Sequence, residues 1–248
     1  MNNLDLSGLA PVVADKLAPM INDIVGAHSK NIHSIHVVGS AVIPDYDEKL
    51  SDINSVVVLH DMDLKFVEFL APLGKKYGKK RIAAPLIMTS EYVRRSLDAV
   101  PIEFLDFKLI HRTILGEDLF RDLVITEAQL RLQCEREIKT KLIGLRQGYL
   151  SSLGEKERLS NVLAQSITGS MALFRAIISL LGKEPPVSRT EVVAQFGAST
   201  GIDAAIFENL LLLKMKRLKP SEPELRGLFE RYYGALESMG KIIDELHD

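Results

Sequence analysis

Cysteine is almost missing from this 248-residue chain, tryptophan is missing altogether, aromatic residues make up only 6%, and neither sign of charge predominates. Cys134 stands alone, so a disulfide framework or a cysteine-rich zinc site within one chain is excluded. Lys and Arg number 31 against 33 Asp and Glu, a net charge of −2 that creates no global field for nucleic acid or anionic lipid. No apolar run approaches the roughly 20 residues needed to span a bilayer, and the most apolar helical stretch, 171–181, is interrupted by Arg175. No Lys or Arg precedes Lys16, so the start lacks the basic segment of a secretory leader. These absences predict a cytoplasmic protein with no membrane span and no nucleic-acid partner.

With 46% hydrophobic and 26% charged residues, the composition is that of an ordinary folded protein with a substantial core. Leu9, Val13, Leu17, Met20, Ile21 and Ile24 recur at helical spacing, with Ser7 as the expected N-cap. Runs rich in Ile, Val, Leu and Phe at 35–38, 53–59, 82–88 and 102–109 predict four strands. Helical patterns lie between them, one through Phe66, Phe69, Leu70 and Leu73 and another starting at Thr89 or Ser90. Beyond Leu123 only helical periodicity remains, including one long stripe from Leu130 to Tyr149, a central helix over 161–181 and a last helix from Leu225 to Leu246. The expected architecture is α+β: a mixed sheet with flanking helices over 1–122, followed by an all-α helical bundle over 123–248.

The chemically informative segment runs from His36 through Val58. A strand ends at Gly39-Ser40, a polar loop follows, and Asp52-Ile53-Asn54 opens the next strand with residues 52 and 54 on one face. Glycine lets a phosphate approach the backbone, serine supplies a hydroxyl donor, and carboxylates at such positions would hold Mg²⁺ against a triphosphate. The arrangement resembles the nucleotidyltransferase-fold superfamily, in particular the antibiotic and small-molecule nucleotidyltransferases whose catalytic domain precedes a helical bundle. The resemblance implies phosphate binding at Gly39 and Ser40, with Asp52 as the first metal-binding carboxylate. It also implies a third acid on a later strand, a position best matched by Glu103. Asn54 stands where that family has its second carboxylate; an amide oxygen can ligate a metal but brings no charge.

On this reading Asp52 and Glu103 are the catalytic candidates, Gly39 and Ser40 bind the nucleotide, and Asp52, Asn54 and Glu103 are the metal candidates. The resemblance implies Mg²⁺ or Mn²⁺ as cofactor and an NTP, ATP foremost, as substrate. Its product would be a nucleoside monophosphate attached to a hydroxyl of a small molecule or protein, and a homo-oligomer is allowed. The alternative is a catalytically degenerate nucleotide-binding or scaffold protein. Asp45, Asp47 and Glu48 read as a solvated loop, the basic run Lys75 to Arg81 as a solvated helix end, and the histidines as structural, since none shows paired metal-ligand spacing.

Overall fold

The computed structural model describes residues 4–44, 46–49 and 51–246 and divides into two compact units, Met1–Ile125 and Thr126–Asp248. The first unit is the α/β one. Helix α1 (Pro11–His28) begins with Pro at its first turn, where the missing N–H costs nothing, and buries Val13, Leu17, Met20, Ile21 and Ile24. Ser7 is not its cap: Ala10 occupies that place, and the Ser7 backbone N–H bonds to Asp5. Strand β1 (Ile32–Val38) runs into a single 3-10 turn at Gly39–Val42, and β2 (Asn54–Leu59) returns antiparallel to β1. Helix α2 (Leu64–Gly78) is capped by the Asp63 carboxylate, which accepts the Lys65 N–H, and leads to β3 (Leu86–Thr89), parallel to β2.

The expected fourth strand at 102–109 is instead helix α4 (Pro101–Leu109), which follows the short α3 (Ser90–Arg95). A high share of Ile, Leu and Phe in this segment imitates a strand. Pro at the first turn, Glu103 near the N-terminus and Lys108 near the C-terminus favour a helix, whose dipole they complement. The fourth strand is β4 (His111–Gly116), antiparallel to β1, in a mixed sheet of order β3-β2-β1-β4. Its polar opening, His-Arg-Thr, conceals it from a search for apolar runs.

Opposite faces of the sheet carry separate cores. Ile35, Val37, Val57 and Leu59 pack against α1 and, through Phe66 and Leu70, against α2. Val38, Val56 and Val58 pack with Val93, Phe104, Phe120 and Leu123. Each fully buried aliphatic side chain contributes about 1.5–3 kcal/mol relative to exposure.

The second unit is wholly helical: α5 (Glu127–Ser152), α6 (Lys156–Ser166), α7 (Ser170–Leu180), α8 (Arg189–Thr200), α9 (Ala204–Lys214) and α10 (Glu222–Glu245). The single helix expected over 161–181 is thus two, α6 and α7, bent by 46° at a break where Gly169 adopts φ +75°. Lys141 of α5 reaches this break and donates to the carbonyls of Ser166 and Thr168, satisfying acceptors that a continuous helix would have used itself. Phe174, Phe196, Phe207 and Tyr232 meet ring to ring in the bundle core. Among the described residues no single helix is long and apolar enough to cross a membrane.

Candidate functional site

At the end of β1 three strands come level. Val38 pairs with Asn54 of β2 on one side and His111 of β4 on the other, so the row Asn54-Val38-His111 crosses one face of the sheet. Gly39 follows in the left-handed region at φ +71°, and its N–H donates to the Ile110 carbonyl at 3.2 Å. A side chain at this φ is strained, which accounts for glycine at the turn. The Asn54 amide nitrogen lies 3.9 Å from where a Cβ of residue 39 would sit. Gly39 and Asn54 are therefore brought together, with Ser40 next to Gly39 in the chain. The Ser40 hydroxyl and the exposed Asn54 carboxamide have no hydrogen-bond partner among the described residues and can both donate to an anion above the turn.

Asp52 lies just outside β2, its carboxylate held 2.9 Å from the Arg81 guanidinium. Arg81 itself has φ +61°, and its backbone is fixed on both sides: its N–H donates to the Gly78 carbonyl, and its own carbonyl accepts the Ile53 N–H at 2.8 Å. The structure thus places a fixed cation on the carboxylate that the resemblance assigns to metal. Glu103 lies in the first turn of α4 and not on a strand. The strands after β2 read Leu-Ile-Met-Thr and His-Arg-Thr-Ile-Leu-Gly and contain no acid. Asp45 lies outside the described residues; Glu48 is paired with Lys16 at 2.9 Å.

A divalent cation of the Mg²⁺ type takes hard oxygen ligands, one or two carboxylates with substrate phosphates and waters, so a pair of such ions calls for several carboxylates. Among the described residues no group of three His, Cys, Asp or Glu side chains converges to hold a metal. One ion-paired carboxylate beside a neutral amide is a poor donor set, so the residues present do not fit a pair of metal ions.

The sequence reading passed over a polar chain beneath the same face. His36 is fully buried, with Nε2 2.8 Å from the Ser34 hydroxyl and Nδ1 2.9 Å from the Thr113 hydroxyl. Burial, with His111 nearby, pushes its pKa down to about 4, so the ring is neutral at pH 7. His111 Nε2 lies 2.8 Å from Asp118, leaving Nδ1 buried without a partner among the described residues. Asp118 also accepts the Phe120 and Arg121 N–H groups. The spacing of His36 and Thr113, 77 residues apart, carries no local signal that could have linked them.

No family of known proteins and no curated protein matches the chain by sequence. Solved structures match it by fold. The spectinomycin adenyltransferase AAD(9) from Enterococcus faecialis, solved with ATP and spectinomycin, superposes with a TM-score of 0.52 over 91% of this chain and 98% of that one, at 14% identity. The chain has the nucleotidyltransferase fold. A nucleotidyltransferase-like protein from Exiguobacterium sibiricum aligns over 93% of this chain and 74% of its own, at 14% identity and a TM-score of 0.37. Within the nucleotidyltransferase fold shown by the first comparison, the Gly39-Ser40 turn lies at the end of β1 and Asn54 at the start of β2.

Proposed function

We propose that the α/β unit binds the phosphates of a nucleoside triphosphate at the Gly39-Ser40 turn, with ATP the first candidate. The carrying observation is the juxtaposition of a left-handed glycine, an unpartnered serine hydroxyl and an exposed asparagine amide at one end of β1. All three favour an approaching oxyanion, through close backbone access and two hydrogen-bond donors. Asn54 contributes no negative charge, so a phosphate meets a donor where a second carboxylate would repel it. This geometry supports a nucleotide-binding protein without two-metal chemistry more strongly than it supports a transferase.

A second reading, transfer of a nucleoside monophosphate to a hydroxyl of a small molecule or protein, is favoured by the fold shared with an adenyltransferase that was solved with ATP and a small molecule. On that reading Asp52 and Glu103 are the catalytic carboxylates, and Mg²⁺ or Mn²⁺ is needed.

Thermal unfolding with ATP, GTP, CTP and UTP in turn tests the binding. A ligand at 100 times its Kd stabilises the native state by about 2.7 kcal/mol. A raised midpoint with at least one nucleotide is expected; no change with any of them at millimolar concentration would remove the proposal. Product formation from a screened hydroxyl acceptor, lost in Glu103→Gln with nucleotide binding retained, would establish the second reading in its place.

A further inference from the structure

Asp52 and Asn54 sit at the positions where the resemblance expects two acids, and neither presents an unpaired carboxylate. Asn54 is neutral. Asp52 is neutralised by Arg81, whose guanidinium is 2.9 Å away and arrives from the turn after α2. Arg81 occupies a left-handed backbone conformation that glycine adopts at lower cost, so its side chain is present despite local strain. The same turn exposes Lys79 and Lys80, and a groove of about 960 Å³ opens beside it, where Lys16, Lys49, Lys79, Lys80 and Arg81 outnumber the acids Asp15 and Glu48. Lys16 is paired with Glu48, whereas no carboxylate pairs with Lys49, Lys79 or Lys80 among the described residues. Asp52 precedes Asn54 by two residues, so Arg81 pairs with the same chain segment that carries Asn54.

We infer that this site takes a phosphate-rich ligand without a divalent cation, the free N–H donors of Arg81 binding phosphate oxygens and the lysines of the adjoining groove supplying the net positive charge. The inference rests on the proposed phosphate binding at Gly39-Ser40 and assigns its counter-charge to the chain. A guanidinium with one N–H directed to Asp52 retains further donors in a fixed plane, which suits phosphate oxygens. The ligand class is a nucleoside triphosphate or a free polyphosphate chain, since both carry several phosphates in line.

Isothermal titration calorimetry with ATP and, separately, with inorganic triphosphate, each in Mg²⁺ and in EDTA, tests this. The expected result is an ATP Kd in EDTA within about threefold of that in Mg²⁺. Arg81→Gly suits the backbone conformation and so leaves the melting temperature nearly unchanged; it is expected to weaken binding about tenfold or more in EDTA, while Arg81→Lys retains most of it. Binding of inorganic triphosphate as tight as that of ATP identifies the polyphosphate chain as the recognised group, and tighter binding of ATP identifies the nucleotide. Binding of ATP only in Mg²⁺, or unaltered affinity in Arg81→Gly, overturns the inference while leaving the nucleotide site in place. Absence of binding in both buffers overturns the nucleotide site itself, and the inference with it.

Discussion

The two faces of the sheet are made by the same strands and are covered in different ways. On the face toward α1 and α2, Ile35, Val37, Val57 and Leu59 pack with apolar side chains such as Leu17, Ile21, Ile24 and Phe66. On the opposite face, Val38, Val56 and Val58 share the surface with Ser34, His36 and Thr113, and the row ends at Asn54 and His111. The first face is an apolar anchor, with the His28 ring edge-on to Phe66. The second trades apolar area for buried polar groups that must keep their partners, and its edge forms the candidate site. The contrast shows how one alternating sequence can separate stability from chemistry: odd positions of β1 hold the fold, and even positions lead to the turn.

Breaking the apolar face should have the largest effect. Phe66 is fully buried there, so Phe66→Ala is expected to cost about 4 kcal/mol in urea denaturation at pH 7. A loss below about 1 kcal/mol would mean that α2 does not anchor the sheet.

Acidification should act on the other face. His36 binds a proton near pH 6.5 when unfolded and only near about 4 when folded, so the unfolded state takes up protons first as the pH falls. Stability from this residue is therefore complete above about pH 6.5 and declines toward pH 4, by an amount on the order of 3 kcal/mol. His36→Gln should flatten that part of the stability curve. Identical pH profiles for the two proteins would show that His36 is not held neutral.

The smallest effect on folding is expected at the turn. Gly39→Ala has room, since nothing lies nearer than 3.9 Å to the new Cβ, but must hold φ +71°. A cost of about 1–2 kcal/mol is expected, together with weakened ATP binding in calorimetry. Loss of stability with unchanged affinity would separate the glycine's role in folding from any role in phosphate approach.

Much of the fold was legible where periodicity and punctuation agree. The stripe through Val13, Leu17, Ile21 and Ile24 is α1, and Thr89, read as a helix start, caps α3 by accepting the Tyr92 N–H. Legibility failed where a local pattern had two solutions. Residues 102–109 are rich in Ile, Leu and Phe like a strand and fold as a helix, and 161–181 reads as one helix, apolar over most of its circumference, but breaks near Gly169, where Lys141 from another helix satisfies the exposed carbonyls. In the site, the Gly39-Ser40 turn and Asn54 could be read from spacing because they join consecutive strands. The partner of Asp52 could not, because Arg81 lies 29 residues away and reads locally as a solvated helix end.

By itself the sequence determined the α+β class, the helical second half and the residues at the end of β1, since these follow from periodicity and from adjacency in the chain. Only the tertiary structure decided that β4 starts at His111, that His36 is buried between Ser34 and Thr113, and that Asp52 faces a guanidinium. Hydrogen bonds and ion pairs between distant segments form only after the strands have chosen their register, and no local propensity encodes that choice.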